Sequence, residues 1–378
     1  MKKVALPLAI VMLVLAAVAI RMLYINVHSN DFLAFQPYYD SLKTVGFKAF
    51  GDRLSIYPPL YLYGLYIETK LFPAISDELA IKLPSILCDL LLAGFVALLV
   101  WQKRKNYWMS ILSAAVVLFL PTVILNSAYW GQFDSIYACL MMAGVYCLTR
   151  GKKSAAMLLI GLAFSVKLQT VFIFPFLAIL VLRKELSIKH VLLIPLVYLI
   201  SIIPAWMAGR SLTELLTIYL FQTNAPARLT MHAPNPYAWL PESEFQALIL
   251  PGIAAGVAFT ASFIWMGTKH QRTLNKTAFI QLALLSLILV PLVFPKMHER
   301  YFYPAEIMAV VYAFYQPKYF YIPALLVFTS FCAYQPFLFH VDIVDMGILA
   351  IVMVITFILV VYQYFVGPGK EKETCDTA

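Results

Sequence analysis

Charge is what this sequence has least of. Charged side chains make up 12% of its 378 residues, about half the share of a soluble globular chain, so a fully hydrated surface is excluded. Cysteine is also scarce. There are five, an odd number, and no CxxC spacing occurs, which argues against a disulfide framework or a Cys-based zinc site. Cys88, Cys139, Cys147 and Cys332 fall in apolar segments and read as small buried hydrophobes; Cys375 lies in a polar tail. No Gly-rich phosphate loop, Ser nucleophile elbow or metal-ligand spacing is present. No cofactor is therefore indicated; a divalent metal is compatible with the chain but nothing calls for one. The lack of an internal repeat disfavours an inverted-repeat transporter.

What is there is apolar sequence: 62% of the residues, in long runs separated by short basic stretches. A spanning helix needs about 20 apolar residues. The runs predict an all-α polytopic membrane protein with about twelve spans: Val4–Ile25, Leu83–Trp101, Tyr107–Asn126, Ser135–Thr149, Ser154–Val166, Thr170–Leu182, Val191–Ala208, Leu248–Gly267, Thr277–Phe294, Phe302–Tyr315, Tyr319–Tyr334 and Met346–Val366. The first follows a basic start, like a signal peptide, but its apolar run is longer and more spans follow. It reads as a retained helix. The net charge of +9 sits in small clusters at span ends: Lys2 and Lys3, QKRK at 102–105, RGKK at 150–153, Arg183 with Lys184 and Lys189, Lys269 to Lys276, Lys318, and Lys370 with Lys372. That is the positive-inside pattern of the inner membrane, not a nucleic-acid surface.

With those clusters in the cytoplasm, two external loops are long. The first, 26–82, contains YPPLYLYGLYIETKLF from Tyr57, an interfacial or re-entrant helix opened by Pro58 and Pro59. The second, 209–247, carries HAPNPYAWLPE. Residues 367–378 form a cytoplasmic tail. Glu185, Glu371, Glu373 and Asp376 are placed inside; nearly all other carboxylates are placed outside or in the outer half of a span. Acidic residues contribute little to topology, so an external polar site is one cause for this bias.

Three polar strings converge on that outer edge: SNDFLAFQPYYD (29–40), WGQFD (130–134) and PKMHERY (295–301). Asp31 and Asp40 lie among Phe32, Phe35, Tyr38 and Tyr39, where a partly desolvated carboxylate becomes a better base. Asp31 would equally serve as an N-cap. Asp134 has the same two readings, and Trp130 suits an interfacial belt; Gln132 has no belt role and suits a polar ligand. Lys296, His298 and Arg300 form a basic trio where positive charge is disfavoured, which suits a lipid-linked phosphate; a snorkelling rim paired with Glu299 is the plainer reading. Lys167 with Gln169 interrupts apolar sequence, and an ionisable group at membrane depth points to function unless it snorkels out. Asp89, seven residues after Lys82, suits a structural pair inside the bundle. Arg21, near the outer end of the first span, suits snorkelling or contact with a phosphate. Asn235, with His232 and Trp239, suits sugar hydroxyls and faces, or simply an ordered loop.

In this order — an acidic residue after the first span, YPPL, WGQxD, Lys-x-Gln, HERY — the chain resembles the GT-C glycosyltransferases, closest to bacterial relatives of the GPI-anchor mannosyltransferase. The match runs from Asp31 to Tyr301. WGQFD with HERY is fairly specific; YPPL alone is weak. The resemblance implies a polyprenyl-phosphate-linked hexose donor, mannose or glucose, and inversion at the anomeric carbon. It implies a glycolipid, polysaccharide or protein acceptor reached from the non-cytoplasmic face. The catalytic carboxylate would be Asp31, with Asp40 second. Lys167, His298 and Arg300 would meet the donor phosphate, with Lys296 of the same trio. Trp130, Gln132 and Asp134 would shape the site, and Gln169, Tyr57 and Asn235 would be further substrate contacts. A transporter or flippase of lipid-linked saccharides is the competing expectation.

Overall fold

The computed structural model describes residues 2–224 and 227–367. The predicted tail beyond Gly367, with its lysines, Cys375 and carboxylates, lies outside the described residues. The chain is helical almost throughout, as a lipid environment requires, because each helix satisfies its own backbone polar groups. Seven helices are long and apolar enough to cross a membrane. They are α1 (Lys2–Met22), α4 (Asp77–Arg104), the run 188–207, α13 (Phe245–Lys269) with its leading turn, α14 (Lys276–Val293), α16 (Tyr321–Phe339) with its leading turn, and α17 (Met346–Phe365). After α5 (Tyr107–Phe119) the chain bends by 53° at the Leu120–Pro121 break into 121–129, which opens with α6 (Pro121–Ile124); taken as one bent span, the pair makes an eighth. The protein is integral to the membrane.

Shorter apolar helices complete the bundle: α7 (Asp134–Thr149), α8 (Lys153–Val166), α9 (Phe174–Leu182) behind a 3-10 turn, and α15 (Tyr303–Tyr315). The turn α10 (Ile188–Val191) leads into α11 (Leu193–Met207). Three helices lie outside this set: α2 (Asn30–Thr44), α3 (Leu60–Leu71) and α12 (Leu212–Asn224). As the YPPL string predicts, Pro59 sits at the N-cap of α3. The first long connection ends earlier than predicted. Ser76 caps α4 through the Leu79 amide, so the helix starts at Asp77 and Lys82 lies inside it.

Local signals set the helix ends. Asn106 accepts from the amides of Trp108 and Met109 at the start of α5, and Asn275 from Ala278 at the start of α14. Lys103 and Arg104 occupy the last turn of α4, where they complement its dipole. Burial separates core from rim. In α14, 83% of the apolar window is enclosed by protein, against 11% in α1. Leucines left open on the peripheral helices are stable there because lipid, not water, is their solvent.

Two buried charges fasten α1. Arg21 pairs with Asp89 at 2.7 Å, both fully buried, and also donates to the Ala17 and Leu118 carbonyls. The snorkelling expectation for Arg21 is therefore corrected: a partner inside the bundle holds it in. Lys82 does not pair with Asp89. Its ammonium donates to the carbonyls of Tyr24, Ile25 and Val27 at 2.7–2.9 Å, tying off the end of α1.

Candidate functional site

The site begins with an irregular turn. After α6 the chain widens into a π-helical turn, Leu125–Tyr129, a feature often found at functional positions. Trp130 N–H reaches back to the Leu125 carbonyl at 2.7 Å, and Gln132 N–H to that of Asn126 at 2.9 Å. Gly131 makes the reversal possible with φ +74°, a conformation that disfavours a Cβ. WGQFD is thus folded back on the end of its own helix.

This turn meets the start of α2. Ser29 is the N-cap of α2, accepting from Phe32 N–H, and its hydroxyl also donates to the Trp130 carbonyl. The capping expectation for Asp31 is overturned, because Ser29 does that work. Asp31 is left to accept, on Oδ2, from Trp130 Nε1 at 2.6 Å and Gln132 Nε2 at 2.5 Å. It is partly exposed. Asp134 is no cap either, since Phe133 holds the cap position without a side-chain bond. Instead Asp134 accepts from Lys167 Nζ at 2.5 Å and from Asn126 Nδ2 at 2.8 Å.

Lys167 stands where α8 ends, in extended backbone. It does not snorkel: it is 1% exposed, and it also donates to Gln132 Oε1 at 3.0 Å. The Phe133 ring lies 4.1 Å from its ammonium and the Tyr57 ring 5.5 Å. Arg300 closes the network. Its Nη1 donates to Glu299 at 2.8 Å, its Nε lies 3.6 Å from Asp134, and its guanidinium is 5.2 Å from the Trp130 ring. His298 Nδ1 is 3.7 Å from Glu299, with its side chain 28% exposed. Gln169 is buried beside Tyr301.

The structure therefore brings Asp31, Trp130, Gln132, Asp134, Lys167, Glu299, Arg300 and His298 into one connected cluster, with Tyr57 and Gln169 at its edges. Burial would raise the Glu299 carboxyl, but the adjacent His298 imidazole and the charge of Arg300 reverse this and hold it low. Burial weakens the Arg300 cation, yet Glu299 and Asp134 hold it well above its ordinary value. Burial pushes the Tyr301 hydroxyl up to about 12, against the opposing charge of Arg300. Asp31, Asp134 and Glu299 face the cations Lys167 and Arg300, so, leaving His298 aside, the cluster carries one formal negative charge.

Three predicted site residues are not in this cluster. Asp40 is exposed on α2; nine residues past Asp31 it is about 13 Å further along and on the opposite face. Lys296 turns away. Its backbone adopts φ +62°, and its Nζ donates to the Thr223 carbonyl at 3.0 Å near the end of α12, a favourable place for a cation. Asn235 is fully buried, donates to the Pro291 and Phe294 carbonyls and accepts from Tyr237 N–H. It fastens the second long connection rather than facing a ligand. That connection reaches the site through backbone pairing of 230–231 with 297–298.

Two participants were missed by sequence reasoning. Asn126 was legible as a polar residue at the end of an apolar span. Ser29 was legible as a hydroxyl directly before an acidic helix start. Among the described residues, no group of three or more His, Cys, Asp or Glu side chains could hold a metal. Comparison with protein-family models and with curated proteins finds no match. Fold and site together define a polytopic, helical membrane protein with a buried charge network around Asp134 at one end of its bundle.

Proposed function

We propose that this chain is an inverting glycosyltransferase of GT-C architecture. It moves a hexose, mannose or glucose, from a polyprenyl-phosphate donor to an acceptor on the non-cytoplasmic membrane face. The observation that carries this is Asp31: Trp130 and Gln132 orient one carboxylate oxygen, and the group stands half-open beside Lys167 and Arg300. A base is required because the acceptor hydroxyl loses its proton as it attacks. The acceptor oxygen bonds to the anomeric carbon, Asp31 takes the proton, and the lipid phosphate leaves with the bonding pair. The leaving group needs no acid, since its charge is met by the Arg300 guanidinium, with His298 beside it, in a low-dielectric site.

His298 and Arg300 are the donor-phosphate residues on this reading. Lys167 acts one layer deeper, because Asp134 and Gln132 already hold it. Counting the bent α5–α6 pair, α7, α8, the run to α9 and α15 as crossings, together with the seven long helices, gives twelve spans. That parity puts the basic clusters on one side and WGQFD, Lys167 and HERY on the other. A transporter or flippase is supported less well. Its polar groups would line a path at mid-membrane, whereas the Arg21–Asp89 pair is sealed by packing.

The test is incubation of the purified protein with a panel of polyprenyl-phosphate sugars, scoring release of lipid phosphate. Asp31→Asn is expected to lower transfer by about 100- to 10,000-fold while the protein stays folded. Full activity in that variant refutes the mechanism, and no release from any donor refutes the class.

A further inference from the structure

The opposite end of the bundle carries a second polar concavity. Helices α7, α8 and α14 lead to Asp134, Lys167 and the His298–Arg300 string at one end. Their other ends, at Thr149, Lys153 and Lys276, meet around a cavity of about 250 Å3. The length of α7 sets this cavity roughly 24 Å from Asp134. Its floor is apolar, with Leu180, Leu186 and Phe279; Lys153, Lys276 and Glu185 stand around it. Lys153 and Glu185 make no side-chain hydrogen bond or ion pair among the described residues, and Lys276 Nζ reaches only the Gln102 carbonyl at 3.4 Å.

The positive-inside bias accounts for lysines at this end. It does not account for two of them flanking a concavity with an apolar floor and a single carboxylate. Lys153 is half-buried at that wall, while Lys276 and Glu185 stand exposed at its mouth, where a ligand from solvent or the headgroup layer can reach them. Basic pockets between spanning helices suit phosphorylated headgroups. The geometry points to a binding site for a phosphate-bearing anion, with the phosphate between Lys153 and Lys276. An anionic phospholipid would also lay its glycerol and first acyl carbons on the Leu180–Leu186 wall; inorganic phosphate would use the lysines alone. This assignment is independent of the chemistry at Asp31.

The full chain in nanodiscs tests it in three arms: phosphatidylcholine alone, phosphatidylcholine with phosphatidylglycerol, and phosphatidylcholine with added inorganic phosphate. Bound phosphatidylglycerol or phosphate is titrated by native mass spectrometry and by the shift in unfolding midpoint. Lys153→Ala and Lys276→Ala are each expected to weaken binding about five-fold, and together about 30-fold, from roughly 1 kcal/mol per cation. Glu185→Gln is expected to tighten binding several-fold, which a merely destabilised protein would not show. Lys105→Ala, at the same end but outside the cavity, leaves binding unchanged. Saturation by phosphatidylglycerol alone identifies a lipid, and saturation by inorganic phosphate identifies a soluble anion; both support the site. Binding of neither, or binding indifferent to Lys153 and Lys276, overturns it.

Discussion

Removing Lys167 strands the carboxylate folded around it. Lys167 and Asp134 are 2.5 Å apart and each is 1% exposed. At an effective dielectric of about 20, unit charges at that distance attract by roughly 7 kcal/mol. Desolvation cancels much of this, yet breaking a buried pair from one side still costs about 3–5 kcal/mol. The two ends of the pair differ. Without Lys167, Asp134 keeps Asn126 at 2.8 Å and Arg300 at 3.6 Å, so Lys167→Met belongs near 3 kcal/mol. Without the Asp134 charge, Lys167 keeps Gln132 at 3.0 Å and the Phe133 ring at 4.1 Å but no carboxylate in contact, so Asp134→Asn belongs at about 4–5 kcal/mol.

Scaling the per-residue unfolding entropy to this length makes each kcal/mol worth about 1–2 °C in midpoint. The expected drops are about 3–6 °C for Lys167→Met and about 4–10 °C for Asp134→Asn. Thermal unfolding in mild detergent, read by a thiol-reactive dye that reports exposure of buried cysteines such as Cys139, measures both. The double variant should lose about 2 kcal/mol less than the sum of the singles, because the second substitution removes the stranded charge. Costs that add within about 0.5 kcal/mol would refute the pairing.

Glu68 in α3, outside the spanning helices, has a buried oxygen without a partner, and burial pushes its carboxyl from 4.5 up to about 7. Between those values the folded chain holds a proton that the unfolded chain releases, so this group's share of stability falls as pH rises from about 4.5 to about 7. Glu68→Gln should match the parent near pH 4.5 and exceed it above pH 7 in unfolding midpoint; parallel pH profiles would dismiss the effect. Asn235→Ala strands the Pro291 carbonyl and should cost about 1–3 kcal/mol, with transfer per folded molecule unchanged. Lost transfer at unchanged stability would restore Asn235 as a sugar contact.

Convergence was legible because polar residues are rare in this chain, so strings such as WGQFD and HERY stand out and alternation of spans gives them a common side. Partner choice was not legible. Asp31 and Asp40 look alike as letters, and only helical geometry puts them on opposite faces. Lys296 and Arg300 share one string, yet a left-handed backbone at Lys296 sends its side chain elsewhere. Arg21 and Asp89 meet across 68 positions, and nothing local marks either as the other's partner. The break at Pro121 was likewise hidden inside a uniformly apolar run. The helices α7, α8 and α15 are shorter than a bilayer ordinarily requires, and length alone leaves their crossing open.

The enclosure of α14 bears on how the chain is assembled. Its neighbours include α9 and α13, made before it, and α15 and α17, made after it. As it leaves the ribosome, half of its future protein environment does not yet exist, so lipid must first cover the faces that α15 and α17 later take. The last two neighbours displace that lipid. Truncation before α15 therefore leaves a chain in which the α14 faces that meet α15 and α17 are still covered by lipid.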